Sequence, residues 1–398
     1  MAAATRAGLA MNDSISVTDT ANIPPAAVRR AKAQPRSPAR EHVDYIEYFR
    51  AVAIVLIVAG HAMDLSWAHL QGGPIAGKEA LGIVSALIDG GTFYFVFISG
   101  FLYRLVFHGR VKYADFMRKK AVNIGLPYLI LGIPLAFYQM FASGFHATLY
   151  KHDAVLGTNY FVDVVTQLAT GEMMTAYWYI PFIFLVFAAS PLFDRFIELS
   201  RSRQIVILLG SLAVAFWVHR PYESLDPFHS FLYFVNMYLF GIMVCGERHR
   251  LIKLLRKTPV LILLAVMLVG IALAQEFVFH QISNIERIQG EGWMPKGFDA
   301  MLVQKYVGVL FFCGLLARWG DHLAAPFHAL ANASFGMYFV HGIILAAMSH
   351  LPAAASPRFA FSPAVFLIYA TVTVLLSYAT VRTARALLGP RSRYIIGS

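Results

Sequence analysis

Runs of about 20 mostly apolar residues recur along the chain, and short polar connections separate them. An α-helix of about 20 residues is long enough to cross the hydrocarbon core of a bilayer. We therefore predict ten transmembrane helices, over residues 46–66, 81–106, 121–142, 177–197, 203–219, 229–246, 259–279, 300–317, 327–349 and 363–388. The predicted fold is an all-α, polytopic transmembrane bundle.

Two polar stretches break this pattern. Residues 1–40 are rich in Ala, Pro, Ser and Arg and show no apolar periodicity, which predicts a disordered cytoplasmic arm ahead of a bundle domain at 41–390. The long connection before the fourth span contains an apolar-polar stretch, 160–168, that we expect to lie flat at the membrane interface.

Composition supports a membrane protein. Hydrophobic residues make up 58% of the chain and charged residues 14%, whereas soluble domains carry about 25% charged residues. The net charge of +11 arises mainly from Lys and Arg clusters in alternate connections. By the positive-inside rule, both termini are predicted to be cytoplasmic, in a multi-pass protein of the inner (plasma) membrane. The basic charge therefore indicates membrane topology, and no nucleic-acid partner is expected.

Arg50 and His61 stand out within the first apolar run. Eleven residues advance an α-helix by about 16 Å and return it to within about 20° of the same face. A fixed cation near one membrane surface and an imidazole near the bilayer centre are thus predicted to share one stripe. Ionisable groups inside a span usually face a protein interior or a wet cavity and mark function. The alternatives are an arginine that snorkels at the helix end and a structural histidine.

Four further patterns accompany this pair. They are the aromatic run with Ser-Gly at 93–102, Trp-Tyr-Ile-Pro at 178–181, an aromatic stretch with Asn at 231–241, and Tyr-Phe-Val-His at 338–341. Together with Arg50 and His61 they resemble the integral-membrane acyltransferase 3 family, from about Asp44 to the last span. The most specific element of the resemblance is the Arg-x10-His spacing in helix one.

The resemblance implies transfer of an acyl group, usually acetyl, from cytoplasmic acyl-CoA to a hydroxyl of an exopolysaccharide or another envelope glycan. Acyl-CoA is then a co-substrate, and no metal is expected. Carried over by position, Arg50 would meet the donor and His61 would be the catalytic histidine. The family often has two basic residues three apart at the start of helix three, but here Asn123 takes the second place. Donor phosphates would be met by Arg118, Lys119 and Lys120, a cluster that also fits a positive-inside anchor.

The chemistry of this transfer needs a base, and imidazole titrates near neutrality. We expect His61 to take the acceptor's proton, with direct acylation of its ring as a second mechanism. Asp64, three residues on, is a candidate to orient the ring, with an outer-rim position as the alternative.

Three softer candidates for substrate binding are Ser99, Trp178 and His341. Each has an ordinary alternative. Ser99 with Gly100 would let helix two approach helix one closely, Trp178 would belong to an interfacial aromatic belt, and His341 would hydrogen-bond within the bundle.

A transporter or flippase for a glycan or a lipid-linked precursor is the alternative function. Such proteins often contain internal repeats and broken helices. No repeat is evident in the sequence, whereas an acyltransferase requires the cation and the imidazole on one stripe.

Overall fold

The computed structural model describes residues 43–68, 78–142, 160–220, 226–280, 298–349 and 363–398, although the side chains of residues 64–68, 78, 142 and 363–365 are outside that description. The predicted N-terminal arm lies outside the described residues. Those that are described form helices and no strand, which confirms the all-α prediction. The helices are α1 (Asp44–Ala68), α2 (Lys78–Ile88), α3 (Gly91–Leu102), α4 (Tyr113–Lys120), α5 (Leu126–Ala142), α6 (Tyr160–Thr170), α7 (Tyr179–Ala188), α8 (Ser190–Glu198), α9 (Arg201–Val218), α10 (Pro227–Gly246), α11 (Arg248–Leu255), α12 (Thr258–Phe277), α13 (Ala300–Trp319), α14 (Ala324–Ser349), α15 (Pro363–Leu388) and α16 (Ser392–Ile395).

By length and apolarity, 8 stretches of the described chain are candidate membrane spans, or 9 if the bent pair α7–α8 forms one span. The polytopic membrane prediction is therefore confirmed. α7 and α8 meet at an angle of 53°. The break falls at Ser190-Pro191, where a proline is tolerated because it stands in the first turn of α8.

One candidate stretch, Ala300–Ser349, supplies two crossings. Its 50 residues would extend about 75 Å as one helix, far more than a hydrocarbon core of about 30 Å. Its two helices also run in opposite directions beside α1. Phe312 of α13 packs on Phe49, and seven residues later α13 ends near Tyr48. α14 begins near Tyr48, through Phe327, and reaches His61 by His341. When this stretch is divided in two and α7–α8 is counted as one span, the described chain has ten candidate crossings.

The second predicted span is continuous in sequence but interrupted in structure. α2 and α3 are separated at Asp89 and Gly90, and Gly90 adopts a φ of 76°. Glycine suits this left-handed conformation because it has no Cβ. α3 then continues into a π-helical turn, Tyr103–Phe107. The interruption places a carboxylate in the interior of the bundle, because Asp89 is only 7% exposed.

Glycines of α3 and α10 allow the backbones of these two helices to touch. A Cβ on Gly100 would overlap the carbonyl of Tyr238, and one on Gly241 would overlap the carbonyl of Phe97. The expectation that Gly100 packs helix two against helix one is therefore wrong, since its partner is α10. The close approach to α1 is instead made by Gly91, at Ile57. Small residues do permit such approaches in membranes, but the sequence did not identify the neighbour.

The core is aromatic and lies between α1, α3, α10, α13 and α14. In contrast, α9 and α12 expose large apolar side chains, including Val206, Leu209, Ile262 and Val266. Exposed apolar faces on spans of this length are suited to lipid. The two free cysteines, Cys245 and Cys313, are buried.

Candidate functional site

Arg50 and His61 both contact one helix, α14. The Nε of Arg50 donates to the carbonyl of Ala331 at 3.1 Å, and the Nδ1 of His61 lies 3.0 Å from the Nε2 of His341. The two contacts are ten residues apart on α14, which matches the eleven-residue separation on α1. The cation and the imidazole therefore share the stripe that the spacing predicted.

The rings of His61 and His341 lie edge to edge and nearly in one plane. Their ring centroids are 5.2 Å apart and the ring planes meet at 16°. The second nitrogen of His341, Nδ1, lies 3.1 Å from the carbonyl of Met337. A carbonyl only accepts, so this Nδ1 carries a proton and donates it. His341 is fully buried, whereas His61 is half-buried and keeps part of its surface accessible.

These bonds determine which nitrogen of His61 is the base. A buried group is costly to charge, so we treat His341 as neutral. With its proton on Nδ1, the Nε2 of His341 accepts, and the Nδ1 of His61 must donate to it. The Nε2 of His61 is then unprotonated. Such fixing of the tautomer by a neighbouring group is the usual way in which a histidine is prepared for proton transfer.

The segment before α7 holds α14 in place. The hydroxyl of Tyr177 donates to the carbonyl of Phe339 at 3.0 Å, and the hydroxyl of Tyr338 donates to the carbonyl of Ala176. Gly342 lets this segment come close, since a Cβ there would lie 3.0 Å from the carbonyl of Thr175. His341 lies between Phe339 and Gly342, which both contact this segment. The position of His341 relative to α1 is thereby held.

Trp178 and Ser99 lie inside the bundle. The Trp178 ring stacks on Phe234 with centroids 5.6 Å apart, and the side chain of Ser99 lies near the hydroxyl of Tyr179. Tyr179 in turn packs edge-on against Tyr338, at 5.7 Å. Trp178 thus makes inward contacts in addition to any interfacial ones, and the predicted role of all three softer candidates in substrate binding stays a prediction.

Sequence reasoning missed Arg220. Its guanidinium carbon lies 5.8 Å from the centre of the Trp178 ring, and its charge acts electrostatically on His61. Because it directly follows a predicted span, Arg220 resembled an ordinary interfacial anchor.

Lys305 and Asp89 were also missed. Lys305 is fully buried, with its ammonium 3.4 Å from the carbonyl of Ala86 and 5.7 Å from the centre of the Tyr94 ring. Asp89 supplies the opposite charge and accepts a hydrogen bond of 2.7 Å from Ser85. A lysine within an apolar run was the signal that would have identified this pair.

The basic cluster 118–120 lies at the end of α4, and its three side chains point in different directions. Arg118 is exposed and pairs with Asp115 at 3.5 Å, and Lys119 is exposed. Lys120 instead turns inward, where its ammonium lies 4.4, 4.9 and 5.3 Å from the ring centres of Phe187, Phe107 and Phe116. Cation–π contacts of this kind stabilise a partly buried cation. Binding of donor phosphates by these three residues stays a prediction.

Two other expectations concern acidic groups. Asp64 lies on α1, but its side chain is outside the described residues, so its orienting role stays a prediction. At the other end of α1, ligand atoms of Asp44, Glu47 and His328 lie within 4.8 Å of one another. Glu47 also lies 3.9 Å from Arg50, and His328 lies 3.3 Å from Glu47. These contacts form a polar network beside Arg50.

The fold and the site define a multi-pass membrane protein with a histidine pair enclosed between two of its helices. The sequence matches the acyltransferase 3 family, described as an acyltransferase domain, over residues 43–382. The chain belongs to this family and is a membrane acyltransferase. No curated protein and no solved structure matches it.

Proposed function

We propose that the protein is an O-acyltransferase that moves an acyl group, with acetyl as the first candidate, from cytoplasmic acyl-CoA to a hydroxyl of an exopolysaccharide or another envelope glycan. The observation that carries this proposal is the hydrogen-bond chain from His61 through His341 to the carbonyl of Met337. These hydrogen bonds leave the Nε2 of His61, whose ring is partly accessible, free to accept a proton.

The proposed reaction is a direct displacement. The Nε2 of His61 takes the proton of the acceptor hydroxyl as its oxygen attacks the thioester carbonyl. The tetrahedral intermediate collapses, the carbon–sulfur bond breaks and the new ester forms. The imidazolium then returns its proton to the sulfur of CoA. A single base thus serves both steps, as in other acyl transfers that are catalysed by histidine.

The position of Arg50 favours a donor that enters the bundle near the start of α1, at the end away from His61. Its Nε is held by Ala331, which leaves the terminal nitrogens of the guanidinium to bind phosphate oxygens. Eleven residues of helix place these nitrogens about 16 Å from the level of His61. The pantetheine arm of CoA would extend along this distance and present its thioester to the histidine.

The proposal is tested with membranes that contain the protein and labelled acetyl-CoA. Glycans isolated afterwards should carry label that mild alkali releases, because esters are cleaved under conditions that leave amides intact. The H61A variant should transfer no label above background. The matched control is H249A, which removes an exposed histidine on α11.

Three results would contradict this function. Full transfer by H61A would remove His61 from the reaction. Alkali-stable label would indicate an amine acceptor. Movement of a labelled glycan across the membrane with no acyl transfer would favour the transporter alternative.

The second mechanism, an acylated imidazole, makes a separate prediction. In the absence of acceptor, acid quenching would trap label on the wild-type protein and none on H61A. Under direct displacement, the protein alone acquires no label.

A further inference from the structure

A strained turn at the end of α9 leads directly into Arg220. His219 adopts φ 52° and ψ 172°, a region that residues other than glycine rarely occupy. The turn is held by His229, whose Nε2 donates to the carbonyls of Val218 at 2.6 Å and His219 at 2.9 Å. Strain of this kind persists only where the surroundings enforce it, and it is concentrated at functional sites.

The clamp directly precedes Arg220, whose side chain has no counter-charge in the described part of the chain. Its side chain is half-buried beside Trp178, and its Nε is buried with no hydrogen-bond partner among the described residues. Within those residues, no carboxylate lies within the 4.0 Å that defines an ion pair with Arg220. A nearby ring attracts a guanidinium but does not satisfy its directional donors.

The neighbouring acids are already engaged. Asp299 accepts hydrogen bonds from the hydroxyl of Tyr233 at 2.6 Å and from the backbone of Leu302 at 2.8 Å. Asp89 interacts electrostatically with the ammonium of Lys305 and accepts a hydrogen bond from Ser85. Arg220 is thus not hydrogen-bonded to either of these two acids, whose oxygens already accept from Tyr233, Leu302 and Ser85.

Arg220 lies at the His61 end of the bundle, away from Arg50. The start of α10, next to the clamp, contacts the start of α3 through Tyr233 and Phe93, at 5.6 Å. The start of α3 in turn meets α1 at Ile57, one helical turn before His61. A donor that enters past Arg50 would approach His61 from the other direction, so Arg220 lies on the acceptor side.

We propose that Arg220 binds an anionic oxygen of the acceptor, and that the acceptor is consequently an acidic glycan with a carboxylate or a phosphate close to the hydroxyl that is acylated. This inference rests on the proposed function for the identity of the site, but the anion site itself can be measured without transfer. A forked guanidinium suits both anions, because it donates two parallel hydrogen bonds to their oxygens.

Binding is tested first, with purified protein in detergent. Glucuronate and glucose 6-phosphate should each raise the midpoint of thermal unfolding relative to equal concentrations of glucose, since a ligand that binds only the folded state stabilises it. The larger of the two shifts identifies carboxylate or phosphate as the preferred anion. R220Q should abolish the shifts, R220K should weaken binding about tenfold, and R203Q, which alters an exposed arginine of α9, should behave as wild type.

Transfer from labelled acetyl-CoA is tested next, with an acidic oligosaccharide and its carboxyl-reduced counterpart, and with a phosphorylated and a dephosphorylated pair. For the wild-type protein, kcat/KM should be at least tenfold higher with the anionic acceptor than with its neutral counterpart. R220Q should lose this preference through a higher KM for the anionic acceptor, so that its kcat/KM values for the two members of each pair become equal.

The outcomes separate the two proposals. Anion-dependent stabilisation without any acyl transfer would retain the anion site and overturn the proposed function. Transfer without anion preference in wild type would retain the function and overturn the anion site. Equal slowing of both acceptors by R220Q and R220K, with KM unchanged, would assign Arg220 to the reacting carbonyl or to structure and would also overturn the inference.

Discussion

The Nε of Arg50 donates to the carbonyl of Ala331, which lies on α14 ten residues before the partner of His61. Arg50 thereby connects the start of α1 to α14, the helix whose His341 orients His61. Among the described residues, the ion-pair partner of the remaining donors of Arg50 is Glu47, at 3.9 Å.

Changing Arg50 to Gln should lower kcat/KM for acetyl-CoA by at least about tenfold, since a charged hydrogen bond to phosphate contributes about 2 kcal/mol or more. The same change should have little effect with S-acetylpantetheine, which lacks the phosphates. Steady-state kinetics with both donors measure this difference. Equal losses with the two donors would show that Arg50 acts through structure, and R203Q serves as the control.

His341 offers a matched pair of substitutions. In H341Q, the amide oxygen can take the place of Nε2 and accept the proton of His61. In H341N, the shorter amide can only replace Nδ1, so the bond to His61 is lost. We expect H341Q to retain most activity and H341N to lose about 10²- to 10⁴-fold in kcat, the usual contribution of a positioned base.

The KM for acyl-CoA should be unchanged in both variants, because His341 positions His61 and does not meet the donor. Single-turnover rates and donor titrations measure the two quantities separately. Equal activities of H341Q and H341N would contradict the tautomer assignment.

Lys305 and Asp89 should be energetically coupled. Removing either charge leaves the other, buried charge less compensated, and this lowers the stability of the fold. K305M should therefore lower the midpoint of thermal unfolding markedly, and D89N in the same background should recover part of the loss. K257M, at an exposed lysine, is the control. Additive losses in the double variant would show that the two charges do not interact.

Gly100 and Gly210 provide a test of helix packing. A Cβ at Gly100 would overlap the backbone of α10, whereas nothing lies within 4 Å of one at Gly210. G100A should destabilise the protein by about 1–3 kcal/mol through forced displacement of the backbone. G210A should be neutral or stabilising by up to about 1 kcal/mol, because alanine favours the helix. Thermal unfolding in detergent distinguishes them, and equal midpoints would contradict the close contact.

The sequence predicted the crossings well because their length is dictated by the thickness of the bilayer. α10 was predicted at 229–246 and is found at Pro227–Gly246, and α13 was predicted at 300–317 and is found at Ala300–Trp319. The stretch at 160–168 also forms a helix, α6. The break at Asp89 and Gly90 was missed, because apolarity continues across it and only the conformation of Gly90 interrupts the helix.

The site was predicted in part. Two residues on one helix, Arg50 and His61, share a stripe for reasons of helical geometry alone. The contact of His61 with His341 needs a neighbour that runs alongside α1, and neighbours are set by packing across the whole bundle. Arg220 was missed for the same reason, since its inward direction comes from a turn held by His229.

Because α9 and α12 expose apolar side chains, the stability of their packing depends on the lipid or detergent around them. Leu209, Val266 and their neighbours are covered by acyl chains in a bilayer and by detergent tails after extraction. Transfer of apolar surface from lipid to a helix–helix contact is not favoured by the hydrophobic effect. The association of such helices therefore depends on close packing and on polar contacts. Extraction into a short-chain amphiphile should thus loosen these outer helices before it disturbs the aromatic centre.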